Sequence, residues 1–373
     1  MNEQERFAYL QLALSENVGP ITFWDLLCYY KTPSEALKNL PDLAQRGGKK
    51  KIQIADKKQV ELQLQKIKEY NGQILYRTDS DFPALLKQLP DCPMLLFVRG
   101  TPSLLKTKCL SLVGTRRCSV NGKNLTRKMA FNLSVKGYTI VSGLAEGIDT
   151  CAHEGALANT AGTGNTIAVI GTDVGTCYPA GNQELFNSIV DRGCVISEFP
   201  FGSVLGKWNF ISRNRIISGL SLGVIVIEAQ FGSGSLNTAK NALEQGREVF
   251  AVPGSPADPR SEGPNHLIQK GATLVTSAED VHHALTDLHP AFEFQEKISE
   301  PTFPTFSIDE DQLQSAREII LNALSAEQVN IDFLIQETGL PINAVHIVLS
   351  ELELAGRITR SSGNQVSLLF KEE

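Results

Sequence analysis

Between Cys109 and Val275, seven short runs rich in Val, Ile and Leu recur: Cys109–Val113, Tyr138–Val141, Thr166–Ile170, Cys194–Ser197, Val224–Glu228, Val249–Val252 and Thr273–Val275. Several lack polar alternation, as expected for strands of a parallel sheet buried on both faces. Most end in a Gly-, Ser- or Thr-rich turn that opens a helical stretch. That rhythm confines the region to a doubly wound α/β fold with a mostly parallel sheet. Ligands of such sheets bind at the carboxyl ends of the strands, so chemistry is expected in the turns that follow them.

The 373 residues leave room for modules on both sides of the sheet. Residues 1–75 read as short helices. Arg6–Ser15 and Phe23–Lys31 carry helical apolar spacing, and Gly19-Pro20 makes a turn between them. Asn17-Val18-Gly19-Pro20 before an apolar helix loosely resembles a helix-hairpin-helix or SAM-like module, with a plain turn at Gly19 the simpler reading. The basic loop Arg46–Lys51 suits either a polyanion or solvent. The sheet domain is placed at 76–288 and a linker with three prolines at 289–307. Residues 308–373 read as a winged helix: helices Gln312–Leu324, Ile331–Thr338 and Ile342–Ala355, a turn at Gly339-Leu340-Pro341, then strands Arg357–Arg360 and Gln365–Leu369.

No stretch is both long and apolar enough to span a bilayer, and the N-terminus carries charges where a signal peptide needs an apolar core. The seven cysteines form no CxxC pair and no histidines cluster, which excludes a zinc ribbon and disfavours a disulfide framework. A cytoplasmic protein with reduced thiols, no metal and no membrane association is expected. The net charge of −6 conceals a segregation: residues 101–140 hold eight Lys or Arg and no acid, whereas 291–373 net −9. A local field of that kind attracts phosphates, although a solvated helix face would look similar.

Four segments carry candidate chemistry. Gly114-Thr115-Arg116-Arg117 follows a strand; its glycine lets the backbone approach an anion, Thr115 can hydrogen-bond it, and Arg116 adds a guanidinium fork. Ser142-Gly143-Leu144-Ala145-Glu146-Gly147-Ile148-Asp149 is a second strand–turn–helix, in which Asp149 is read as a helix N-terminal acid. Lys207 to Gly219 interleaves Lys207, Arg213 and Arg215 with Trp208 and Phe210, the mixture by which sequence-tolerant binders hold phosphates and stack bases. Ser233-Gly234-Ser235, opening a helix after a buried strand, reads as a phosphate-binding helix N-terminus or a simple cap. His153 reads as a packing or capping residue. No P-loop, GxGxxG, HExxH or GxSxG motif is present, so no nucleotide cofactor is expected.

Taken in order, VGTRR, SGLAEGID, CYPAGN, ISEFPFG, NFISRNRIISGLS, EAQFGSGSLNTA, REVFAVPG and GPNHLIQKGA resemble the motifs of the DNA-processing protein A (DprA/Smf) family over residues 83–285. The resemblance implies an extended Rossmann-like domain that binds single-stranded DNA without sequence preference; the basic stretch, the interleaved aromatic and the absent nucleotide motifs point to a non-enzymatic binder. The resemblance also implies a homodimer formed through that domain, and loading of the RecA recombinase onto DNA taken up in natural transformation. By the same resemblance the DNA-contact arginine is Arg116, the pocket lysine and aromatic are Lys207 and Phe210, and the RNR block is Arg213-Asn214-Arg215. The pocket's small residues are Ser142, Gly143, Ser233 and Gly234. Three positions depart from the family: Glu146 stands where a basic residue is usual, Ile211 replaces a proline, and Pro264 replaces a small polar residue.

On this reading Arg116, Lys207, Arg213 and Arg215 hold phosphates and Phe210 stacks. Two rivals remain. A nucleotide phosphoribohydrolase of the lysine-decarboxylase-like (LOG) class would use Glu228 or Glu198 as catalytic acid and Ser233–Thr238 as phosphate cradle, but its PGGxGTxxE signature is missing. A transcription factor would read duplex DNA through the winged helix. The helix 342–355 has no Lys or Arg, however, so a protein-interaction or regulatory module is expected there.

Overall fold

The computed structural model describes residues 1–160, 166–288, 310–361 and 363–369; the linker read at 289–307 lies outside the described residues. Three capped helices open the chain. α1 (Glu3–Ala13) begins at Asn2, whose side chain accepts from the Glu5 amide at 2.8 Å. α2 (Pro20–Tyr30) begins at the Gly19-Pro20 turn, with proline in the first turn where no amide is required. α3 (Pro33–Arg46) begins at Thr32, which accepts from the Glu35 amide. Tyr9, Leu10, Leu12, Phe23, Leu26 and Leu40 close a small core between them. α4 (Lys57–Glu69) leads into the sheet domain.

That domain runs β1 (Gln73–Tyr76), α5 (Ala84–Lys87), β2 (Leu95–Gly100), β3 (Cys109–Val113), α6 (Val120–Val135), β4 (Thr139–Ser142), α7 (Ile148–Leu157) and β5 (Thr166–Val169). It continues α8 (Gln183–Arg192), β6 (Cys194–Ser197), α9 (Lys207–Leu220), β7 (Gly223–Val226), α10 (Gly234–Glu244), β8 (Glu248–Ala251), α11 (Glu262–Gln269), β9 (Thr273–Leu274) and α12 (Ala278–Leu288). The sheet order is β1-β2-β6-β5-β4-β3-β7-β8-β9, parallel from β6 to β9, with β2 and β1 antiparallel at one edge. This is the doubly wound Rossmann-like fold. β1 and β2 were not anticipated, because no strand–turn–helix rhythm marks them, and β1 lies across the expected boundary after residue 75.

Every residue of β3, β4, β5, β6 and β7 is buried, as strands covered on both faces require. On one face Leu110, Leu112, Ile140 and Ile225 pack with Met129 and Leu133 of α6, Ile148 and Ala152 of α7 and Val281 of α12. α6 and α7 approach closely at Gly155, where a Cβ would lie 2.4 Å from the Arg127 carbonyl oxygen. On the other face the Ser111 hydroxyl donates to the Ile217 carbonyl of α9 at 2.9 Å. The chain builds from β3 outward to β6, then returns to build β7, β8 and β9 on the other side. The strand order therefore reverses between β3 and β7.

The C-terminal part contains α13 (Glu310–Ala323), β10 (Val329–Asn330), α14 (Ile331–Thr338), α15 (Ile342–Leu354), β11 (Ile358–Ser361) and β12 (Gln365–Leu368). The small antiparallel sheet has the order β10-β12-β11, and α14 ends on Gly339 in the left-handed conformation at φ +64°. This is a winged helix, with β10 as an unanticipated short strand.

The chain divides into two compact units, and the winged helix shares one of them with the N-terminal helices. A buried ionic cluster joins these sequence-distant pieces. Arg360 of β11, with a wholly buried side chain, donates to Asp25 of α2 at 2.6 Å, to Glu353 of α15 at 2.8 Å and to Thr22 of α2 at 2.8 Å. Thr22 also donates to Glu353, and the Ser350 hydroxyl donates to Asp25 at 3.0 Å. Asn17 donates to the Leu354 carbonyl at 2.9 Å. At Gly47 a Cβ would lie 2.0 Å from the Glu351 carbonyl oxygen, so backbone meets backbone there. α15, the helix that would enter a DNA groove in a winged-helix reader, is thus a packing surface for α2 and α3.

No helix among the described residues is long and apolar enough to cross a membrane, and the seven cysteines form no disulfide among the described residues.

Candidate nucleic-acid interface

The turns singled out in sequence meet at the carboxyl ends of β3, β4, β5 and β7, around the point where strand order reverses, which is where doubly wound sheets bind ligands. The Thr115 amide donates to the Glu228 carbonyl at 2.6 Å, tying the turn after β3 to the turn after β7. The Ile148 amide donates to the Thr115 carbonyl, tying it to the turn after β4. Gly147, at φ +82°, permits this: a Cβ there would lie 2.5 Å from the carbonyl oxygens of both Thr115 and Arg116. Gly114 is wedged between Ile148 and the Glu228 carbonyl. Arg116 stands exposed on the braced turn, and Arg117 beside it is exposed as well.

The loop after β4 is held from within. The Asp149 carboxylate accepts from the Gly143 amide at 3.1 Å and the Ala145 amide at 3.3 Å, so this residue of the first turn of α7 acts chiefly as a loop brace. Burial pushes its carboxyl up, while the Arg213 guanidinium and the two amides oppose that shift. Ser142 is buried and its hydroxyl donates to the Leu112 carbonyl at 2.7 Å. Asn182 holds the Leu144 carbonyl at 2.9 Å.

α9 supplies the other wall. Lys207, in its first turn, is exposed. Phe210, one turn on, is half-buried: its ring lies 5.2 Å from the ring of Tyr178, centroid to centroid, and sits over Gly171, where a Cβ would be 3.0 Å from the ring. Tyr178 is 45% exposed and widens the aromatic surface. Tyr178 belongs to the CYPAGN block, where no role was expected of it; an aromatic beside a Gly-rich turn was the available signal. Trp208 is 68% exposed.

The two arginines expected to hold phosphates are placed otherwise. Arg213 is buried and its guanidinium donates to the carbonyls of Gly143, at 2.6 Å, and Val169, so it staples α9 to the ends of β4 and β5. A Cβ at Gly143 would strike that guanidinium. Burial pulls the Arg213 pKa down to about 10, Asp149 opposes, and the neighbouring Arg116 cation pulls the same way as burial. Arg215 is buried against Glu198 at 2.5 Å. Helical geometry explains both: Lys207 and Phe210 occupy the free first turn, whereas positions 213 and 215 have entered the stretch pressed on the sheet. Asn214 donates to the Gly234 carbonyl at 3.2 Å, linking α9 to the start of α10.

Gly234 is exposed at the first position of α10 and Ser233 is half-exposed. The Ser233 side chain meets the Ser235 hydroxyl at 3.0 Å and caps no α10 amide, so the helix N-terminus faces the crevice without a side-chain cap. Glu146 is exposed in the loop after β4. Glu228 accepts from the Ser119 amide at 2.8 Å and the Ser119 hydroxyl at 2.5 Å, and so anchors the start of α6.

The family model of DNA recombination-mediator protein A matches residues 73–286, the sheet domain that carries all of these turns. The chain belongs to that family. The DprA-like N-terminal HHH domain matches residues 3–65 and the DprA winged helix domain matches residues 307–364. Among relatives of the DNA recombination-mediator protein A family, Protein Smf of Escherichia coli is 38% identical over 313 residues, which cover 84% of this chain and 82% of that protein. DNA processing protein DprA of Streptococcus pneumoniae is 48% identical over 203 residues, covering 54% and 71%. The X-ray structure of DprA from Streptococcus pneumoniae matches with TM-score 0.62 and 37% identity, over 76% of this chain and 98% of that one. A structure of DNA processing protein A from Helicobacter pylori, described for its single-stranded DNA binding mode, matches with TM-score 0.53 and 29% identity, over 58% and 97%.

Proposed function

We propose that this chain is a non-enzymatic recombination mediator that binds single-stranded DNA without sequence preference at the strand-end face and passes it to RecA during DNA uptake. One observation carries the reading: Arg116 stands exposed on the turn after β3, Lys207 and the half-exposed Phe210 stand one turn apart at the start of α9 beside the ends of β4 and β5, and neither cation has an ion-pair partner among the described residues. Such cations take phosphates while the Phe210 and Tyr178 rings offer stacking faces that tolerate any base. Ser233 and Gly234 add helix N-terminal amides, Gly114 and Thr115 lend backbone to the same crevice, and Ser142, Gly143, Arg213, Asn214 and Arg215 act from behind by fixing the walls. The two strand-end acids of an enzymatic reading are engaged elsewhere, Glu228 by Ser119 and Glu198 by Arg215. The Helicobacter pylori relative, described as a single-stranded DNA binder, supports the ligand class. A homodimer through the sheet domain belongs to the same proposal.

The test is fluorescence anisotropy with labelled oligo-dT and a matched duplex across a salt series. The single strand should be preferred, with affinity falling steeply as salt rises. Phe210→Ala should cost about 1–3 kcal/mol of binding. Arg116→Ala should reduce the log–log salt slope by about 0.7. Absence of binding, or indifference to both substitutions, overturns the assignment. Recombinase assembly on the bound strand is the subsequent assay.

A further inference from the structure

We infer that the outer face of α6 continues the single-stranded DNA site beyond the strand-end crevice, as a second track for phosphates and one base; this rests on the reading of the crevice given above. α6 starts directly below the Arg116-Arg117 turn, so a strand leaving the crevice past Arg116 meets its first turn. The outward face carries Lys123, Lys128 and Phe131, all exposed. Arg117, Lys123 and Lys128 have no carboxylate partner among the described residues, whereas Arg127 between the two lysines pairs with Glu154 and Lys136 beyond them with Glu279, each at 2.7 Å. Among the described residues of α6, the cations without a carboxylate partner therefore all lie between its start and Phe131.

The spacing strengthens the case. Lys128 and Phe131 stand three residues apart on a helix, the same arrangement as Lys207 and Phe210 on α9. In both, a cation and an aromatic ring share one helical face, one turn apart. Phe131 is 38% exposed, with Arg127 and Lys128 one turn before it and the exposed Val135 one turn after it. Chain between Lys123 and Phe131 rises about 12 Å along the axis, room for roughly two to four further nucleotides. The occupant is a nucleic-acid backbone because forty residues with eight cations and no acid set the exposed Val120, Phe131 and Val135 in a field that attracts phosphates.

Full-length protein is titrated with oligo-dT of about six and about thirty nucleotides, lengths that fill the crevice alone or run past it. For the long strand, Lys123→Ala combined with Lys128→Ala should weaken binding about tenfold at low salt and lower the salt slope by about 1.4. Phe131→Ala should weaken the long strand about fivefold or more. The short strand should respond to none of these. Replacing both lysines by arginine should restore the long-strand slope, which a fold defect would not. Unchanged long-strand binding, or equal weakening of both lengths, overturns the track. If Arg116→Ala and Phe210→Ala weaken both lengths while the α6 variants do nothing, only the track fails. If those two crevice variants are also silent, the reading of the crevice fails and the track with it.

Discussion

Residues of one chemical type take opposite roles here according to depth. Arg116 ends in solvent, whereas Arg213 ends on two carbonyls inside the protein. A buried guanidinium keeps its charge only where acceptors replace water, and the Gly143 and Val169 carbonyls with Asp149 do so. His153 shows the same economy without charge. Its Nδ1 lies 2.7 Å from the Thr166 hydroxyl, which itself donates to the Ile140 carbonyl at 2.9 Å; Nδ1 therefore carries the proton and the ring is neutral. Burial, with the Arg213 cation adding to it, holds its pKa down to about 3. The unfolded chain takes up a proton on this ring below about pH 6.5 that the folded protein refuses, so stability is complete above that pH and declines as pH falls. The expected loss is about 1.4 kcal/mol per pH unit, or about 2 kcal/mol by pH ~5. Urea unfolding across this range should show that slope, and His153→Gln should flatten it; an identical slope in the variant would refute the assignment.

At the level of elements, the Gly-rich turns act as joints between strand ends. Gly147 is the clearest, since its positive φ and the two carbonyls at 2.5 Å leave no space for a side chain. Gly147→Ala should destabilise the protein by more than about 1 kcal/mol and also shift the turn bearing Arg116, so that DNA affinity and melting temperature fall together. A variant that melts normally and binds normally would show that the joint tolerates a methyl group. The strand–turn–helix rhythm made this framework legible: β3, β6 and α14 lie at the residues expected, and the other parallel strands lie within one or two. The antiparallel β1 and β2 escaped because an isolated apolar run has no period that distinguishes strand from helix. Within the candidate site, residue types and order were visible but depth was not. Position along α9 decides whether a cation meets water, as Lys207 does at the first residue, or the core, as Arg213 and Arg215 do six and eight residues further on.

For the whole molecule, the unexpected feature is the pairing of chain ends. The sequence described an N-terminal helical module and a C-terminal winged helix as separate attachments, yet Arg360 and α15 pack into α2 and α3 within one compact unit. Arg360→Ala leaves Asp25 and Glu353 facing each other without their cation, and should cost about 3–5 kcal/mol. Hydrogen exchange on the full chain should quicken in both α2 and α15; faster exchange confined to the wing would show that the ionic cluster does not join the two pieces. The parallel α/β architecture, the basic stretch before β4 and the winged-helix pattern were determined by sequence alone, because local periodicity and charge are written in consecutive residues. Three things were decided only by tertiary structure: which arginines face solvent, that Tyr178 joins Phe210, and that the acidic winged helix turns α15 inward. Each depends on residues far apart in the chain competing for the same buried acceptors and surfaces, and no local pattern records the outcome of that competition.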